Sequence, residues 1–223
     1  SSSEPDGFDI PPLQYVELTP TEQNAQAGID LFSTELLNAV EAAHEAKHGK
    51  DSETNVSVSP LSVTLAMAML ANTGDDALTE ATLKMLHCTD LAALNTLCNK
   101  LLRYSASIKG LELANSAWYN PVHLGINSFY VKMMADTYYS DVTGVEFGTE
   151  KATALINDWC AGRTHGKITK VLDKTVSEDV FYLVNALYFN DNWRNEFDKS
   201  RTTTGEFNGK PVKEVMHNDY MGE

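Results

Sequence analysis

The sharpest chemical signal in this 223-residue chain is His44-Glu45-Ala46-Lys47-His48, a literal H-E-x-x-H. Imidazoles four residues apart share one face of a helix and can grip zinc, with the intervening Glu placed as base for the metal's water. A zinc metallopeptidase is therefore one reading. The surroundings argue against it. A metzincin continues with Gly three residues after the second His and another His three residues beyond; here those positions hold Asp51 and Thr54. The pair also sits at the polar end of a helix, beside Gly49 and Lys50, where the helix dipole favours basic side chains. The expectation is exposed helix-end histidines and no metal centre.

Other candidate chemistry is weaker. No G-x-G-x-x-G, Walker A or G-x-S-x-G occurs. Ser59 precedes Pro60 without flanking glycines and suits a helix N-cap better than a nucleophile. Asp75-Asp76 reads as helix-start charge. Asn55-Val56-Ser57 fits a glycosylation sequon, but it falls in what reads as an apolar strand, so modification is not expected. Cys88, Cys98 and Cys160 are odd in number, lack C-x-x-C spacing and lie in or beside apolar helical stretches. They read as small buried hydrophobes rather than disulfide partners or zinc ligands. Nothing here builds an active site.

The net charge of −14 argues against nucleic acid and against anionic membrane surfaces as partners. The longest apolar run, Leu61 to Ala71, is interrupted by Ser62 and Thr64 and is too short to cross a membrane. Four of the seven prolines fall in the first twenty residues, so residues 1–20 read as a flexible, exposed tether.

The elements that must position any site are mixed. Thr19-Pro20-Thr21-Glu22 carries a cap hydroxyl, proline at the first helical position and Glu three residues after the cap. The helix beginning there puts Ile29, Phe32, Leu36 and Val40 on one face, with Leu37 alongside, and stops at Gly49. Asn55 to Val58 reads as a strand, and Ser59-Pro60 starts a helix over Leu61 to Ala71. Further helices are expected over Asp76 to Leu86 and Asp90 to about Tyr104. Leu111 to Trp118 alternates like a strand. Asn127 to Tyr139 reads as a helix with Phe129, Met133 and Met134 inward, Val142 to Phe147 as a strand, and Thr149 to Cys160 as a helix. Phe181 to Phe189 is almost continuously apolar, the pattern of a strand buried on both faces.

Four of these blocks, in order, resemble the serpin family. Asn55-Val56-Ser57-Val58-Ser59-Pro60-Leu61-Ser62 looks like the family's N-x-x-x-S-P-x-S stretch, with a small-residue helix after it. Leu111 to Trp118 looks like its L-x-x-A-N-x-x-W strand. Ile156-Asn157-Asp158-Trp159 with Thr164-x-Gly166-Lys167-Ile168 is similar to the helix and return turn that cross the main sheet. Asn185-Ala186-Leu187-Tyr188-Phe189, with Trp193, Phe197, Thr202 and Phe207 in step, is similar to the family's central strand and the segment directly after it.

The resemblance covers about residues 20–223 and implies an α+β serpin fold: a multi-helix bundle, a large mixed β-sheet A and smaller sheets. Residues 21–223 would be the N-terminal portion of a single serpin domain, without the C-terminal portion that carries the reactive loop. The implied function is suicide inhibition of serine, sometimes cysteine, endopeptidases, not an enzyme activity. By the same resemblance Ser59, Ser62 and Asn185 form the shutter, and Trp193 and Thr202 lie near the breach where loop insertion begins. Asn157, Trp159, Thr164, Gly166, Lys167 and Ile168 belong to the sheet-covering helix and its return segment. No cofactor is implied. The implied partners are a target protease and the protein's own C-terminal fragment as a separate chain.

A non-inhibitory serpin, a chaperone or carrier, would share every one of these motifs. Ser57-Val58 departs from the aromatic pair usual before Ser-Pro, and Ser116 replaces a usual alanine. Serpins also continue well past Met216 and Tyr220, so a cleaved or truncated serpin is expected. The Ser/Pro/acidic start, similar to a segment behind a removed export or lipoprotein signal, points to an extracellular or cell-envelope location over a cytoplasmic one.

Overall fold

The computed structural model describes residues 10–50, 54 and 56–190, and the backbone of two later strands, 203–207 and 210–215. The chain divides into two compact units after Phe189. The first opens with α1 (Pro20–His48), held at its start by a capping box: the Glu22 N–H donates to Thr19 Oγ1, and the Thr19 N–H donates to Glu22 Oε2 at 2.8 Å. Gly49 ends α1 with φ +85°, and its N–H donates to the Glu45 carbonyl at 2.7 Å. Ser59, Asp75 and Asp90 cap α2 (Pro60–Leu70), α3 (Asp76–Met85) and α4 (Leu91–Ser105) in turn.

Then come β1 (Leu111–Tyr119), α5 (Ser128–Tyr138), β2 (Ser140–Gly144), α6 (Glu150–Arg163) and β3 (Phe181–Phe189). The strands form one sheet in the order β2-β1-β3, with β1 parallel to β2 and antiparallel to β3. The second unit contributes an antiparallel hairpin of β4 (Thr203–Phe207) and β5 (Lys210–Val215).

Strand alternation splits the core in two. Leu113 and Ala117 of β1, with Phe181 and Leu183 of β3, face a cluster built on Phe32, Leu65, Leu94, Leu97, Leu102 and Met134 of the helices. Trp118 and Ala186 face the other way, onto Ile156, Trp159 and Cys160 of α6. Between α2, α4 and α5 lies a buried polar knot. Asn72 and Asn95 exchange two 2.8 Å side-chain hydrogen bonds, and the Tyr138 hydroxyl donates to Asn95 Oδ1. All three cysteines are buried and free, as expected. Burial raises the Cys98 thiol to about 12, which removes any thiolate chemistry there.

Several expectations are corrected. Residues 56–59 form no strand; Val56 and Ser57 are exposed, and Asn55 lies outside the described residues. Phe129 is 67% exposed, because the inward face of α5 is the row Tyr130, Met134 and Tyr138, spaced every fourth residue. β3 is not buried on both faces: only Ala186 is fully covered, and among the described residues the strand has a single strand neighbour, β1.

Residues 10–18, expected within the tether, lie along α4. The Leu13 N–H donates to the Arg103 carbonyl at 2.9 Å, Arg103 Nε donates to the Pro11 carbonyl, and Lys100 Nζ donates to the Glu17 carbonyl. Prolines fix a backbone that still offers its carbonyls, and two cations on α4 take them.

Candidate functional site

Ser59 and Ser62 meet at the start of α2. Ser59 Oγ accepts the Ser62 backbone N–H at 3.2 Å and the Ser62 hydroxyl at 3.0 Å. Asn185, the third residue of the expected trio, bonds elsewhere. Its Nδ2 donates at 2.7 Å to Oδ1 of Asn115, its direct cross-strand partner, and Asn115 Nδ2 donates to the Tyr138 carbonyl at 3.0 Å. α2 packs against β3, so both polar groups belong to the same helix–sheet layer without a hydrogen bond between them. Oδ1 of Asn185 and Oγ1 of Thr64 are buried without a hydrogen-bond partner among the described residues. Orphans of this kind cost free energy and are paired in most folded proteins.

On the opposite face α6 and its return segment are stitched together by side chains. Asn157 Nδ2 donates to the Leu172 carbonyl at 3.0 Å, and its Oδ1 accepts the Val171 and Leu172 N–H groups. Thr164 is fully buried; its hydroxyl donates to the Cys160 carbonyl and accepts the Ile168 N–H. Gly166, at φ +74°, turns the chain, its N–H donating to the Ala161 carbonyl at 2.8 Å. Lys167 takes part through its backbone, the N–H donating to the Thr164 carbonyl. Thr175 closes the return. Its N–H donates to Thr153 Oγ1, and its own Oγ1 accepts the Gly148 N–H.

Trp159 presses α6 onto the sheet beside Trp118 and Ala186, with the Arg163 guanidinium 5.9 Å from its ring centroid. At the end of α6, His165 Nε2 lies 2.9 Å from Glu112 Oε2 on β1, and its ring packs 4.5 Å from Tyr188 on β3. Residues 112 and 188 are cross-strand partners, so the helix end is clasped to both strands.

The structure thus assembles Asn157, Trp159, Thr164, Gly166, Lys167 and Ile168 into one region, and pairs Ser59 with Ser62. Trp193, Phe197 and Thr202 lie outside the described residues. Sequence reasoning passed over Asn115, Tyr138, Thr153, Thr175 and the His165–Glu112 contact. Asn115 had a visible signal: a lone amide amid apolar alternation, level with Asn185 once the strands are paired. His44 and His48 come together on the last turn of α1, ring centroids 4.9 Å apart, but no third His, Cys, Asp or Glu joins them among the described residues.

The family profile described as Serpin (serine protease inhibitor) matches residues 28–222. The chain belongs to the serpin family. Human leukocyte elastase inhibitor is 33% identical over 165 residues, covering 69% of this chain and 42% of that protein. The horse protein of the same name is 31% identical over 209 residues, covering 86% of this chain and 50% of its own length. Among solved structures, the thermophilic serpin tengpin in its native state aligns with TM-score 0.69 at 25% identity, over 92% of this chain and 51% of that one. Emu ovalbumin shares the fold at TM-score 0.70 and 21% identity, over 84% of this chain and 54% of its own. The chain spans at most half the length of the two leukocyte elastase inhibitors. Both are named as inhibitors, in a family of protease inhibitors rather than enzymes. No helix among the described residues is long and apolar enough to cross a membrane.

Proposed function

We propose that residues 21–223 are the N-terminal portion of a single serpin domain acting as a suicide-substrate inhibitor of serine endopeptidases, with cysteine endopeptidases as a second target class. The observation that carries the reading is the way β3 is held. Beneath it lies a lone amide pair, Asn185–Asn115, and above it α6 with a return segment fastened by Asn157, Thr164 and Thr175. Loop insertion as an added strand, releasing stored strain, is the family's established mechanism. It requires fastenings that can break and re-form. Hydrogen bonds suit this, each contributing only about 0.5–1.5 kcal/mol net but costly to leave unpaired when buried.

In this reading Ser59, Ser62 and Asn185 are the shutter and Trp193 and Thr202 flank the breach. Asn157, Trp159 and Thr164 to Ile168 form the cover that must lift. The C-terminal portion bearing the reactive loop is the complementary partner, whether continuous with this chain or bound as a separate polypeptide. An extracytoplasmic location is one reading. A relative named intracellular coagulation inhibitor 2, from Tachypleus tridentatus, favours the other compartment, and cell fractionation distinguishes them.

The test is incubation of the full-length protein with elastase-, trypsin-, chymotrypsin-, subtilisin- and papain-like proteases, and then a denaturing gel. An SDS-resistant band at the summed mass is the expected result, and the enzyme trapped names the target class. Clean cleavage in every lane would overturn inhibition and leave a chaperone or carrier serpin.

A further inference from the structure

The H-E-x-x-H motif is left over from the inhibitory reading, and its geometry has a use of its own. His44 and His48 occupy the last turn of α1 with ring centroids 4.9 Å apart and planes inclined by 34°. Two imidazoles so arranged can turn ring nitrogens toward one point, at the roughly 2.0–2.1 Å that zinc–imidazole bonds require. The helix C-terminus beneath them carries partial negative charge and favours a cation. Glu41 and Glu45 line the same cleft of about 390 Å³ as His44 and outweigh the single cation there, Lys50. The whole chain, at −14, raises the local concentration of cations further.

We propose that His44 and His48 form a two-imidazole site for a late first-row divalent cation, Zn²⁺, Ni²⁺ or Cu²⁺. The number of ligands decides its character. A catalytic zinc centre uses three protein ligands and one water, and no third protein ligand joins this pair among the described residues. Water fills the remaining positions, and the site binds metal without building a hydrolase. Imidazole ligation selects this group of ions over Mg²⁺ and Ca²⁺, with Cu²⁺ the tightest. His44 Nε2 stands 3.0 Å from Thr54 Oγ1, so metal taken at that nitrogen competes with that contact. Thr54 belongs to the segment leading into Ser59, the cap of α2. The proposal is independent of protease inhibition.

Isothermal titration of tag-free, chelator-treated full-length protein with ZnCl₂ and NiCl₂ tests it. The variants are His44→Ala, His48→Ala and the double substitution His48→Ala/Ala46→His. The last keeps two imidazoles but sets them two residues apart, on opposite sides of the helix. Saturable one-to-one uptake by the wild type is expected, weakened at least about tenfold in all three variants. Uptake that is absent, or equal in wild type and variants, overturns the site.

A second readout needs no variant. A ligand that binds only the closed helix end slows its opening, so at Zn²⁺ ten times the dissociation constant the Gly49 amide should exchange about tenfold more slowly. That amide is bonded to the Glu45 carbonyl within the same turn. Unchanged exchange at saturating zinc would likewise overturn the proposal.

Discussion

Asn185 and Asn115 face each other across β3 and β1, joined by a 2.7 Å hydrogen bond on the side of the sheet that α2 covers. Asn115 is 3% exposed, and its own Nδ2 is committed to the Tyr138 carbonyl. Truncating Asn185 leaves the Asn115 Oδ1 acceptor buried and unpaired, but also removes the orphaned Asn185 Oδ1, which offsets part of that cost. We expect Asn185→Ala to lower stability by about 1 kcal/mol through the lost hydrogen bond and, in the full-length protein, to promote latency or polymerisation. Thermal melting and native electrophoresis check this. An unchanged melt with normal inhibition would overturn the shutter role proposed for Asn185.

Asn157 presents one side chain to two backbone amides and one carbonyl of the return segment. Asn157→Ala removes all three contacts without touching the apolar face of α6. The Val171 and Leu172 amides should then exchange about tenfold faster, matching a loss near 1.4 kcal/mol, while exchange within β1 stays the same. Equal acceleration everywhere would point to global destabilisation instead of a local latch.

The capping residues predicted the helix starts well. Thr19, Ser59 and Asp90 each bond the N–H three residues on, an interaction written in residue type and spacing alone. The turn after α6 is closed between residues near in sequence, as Thr164 to Ile168, whereas the Thr153–Thr175 contact, 22 residues apart, was passed over. The hidden part depends on pairing across long stretches of chain. Asn115 meets Asn185, and Glu112 meets His165, only when strand register is set. Apolarity misled at β3, where a run such as Tyr-Phe at its end reads as core although Phe189 is 60% exposed. Proline misled at residues 10–18, since composition marks a stiff segment but not what docks against its carbonyls.

Gly28 offers a test of packing at the heart of the helical half. A Cβ added there would lie 2.4 Å from the His87 carbonyl oxygen and 2.8 Å from that of Leu86, so α1 rests directly on the turn after α3. Gly28→Ala should cost about 1–3 kcal/mol through overpacking, despite alanine's better helix propensity. Gly162, also helical, has open space around the same added atom. Gly162→Ala should stabilise by about 0.5 kcal/mol. Opposite signs in paired thermal melts are the expected result; two losses of equal size would contradict the packing argument.

Glu22 carries an acid-sensitive contribution to stability. It is 4% exposed, takes Lys100 Nζ at 2.6 Å and accepts the Thr19 N–H at 2.8 Å. Burial by itself raises its pKa, but the hydrogen bonds from Lys100 and Thr19 overcome that and hold it at about 2, against an ordinary 4.5. A carboxyl whose pKa is depressed by folding contributes its full stabilisation above the unfolded value and loses it as pH falls through the folded one. The window of loss therefore runs from about pH 4.5 down to about pH 2. Glu22→Gln should remove this contribution, on the order of 2 kcal/mol near neutral pH, and flatten the dependence across that window. Urea denaturation of both proteins at neutral pH and at two points within the window measures it. Parallel curves for wild type and variant would mean that the Lys100 pair adds nothing to acid stability.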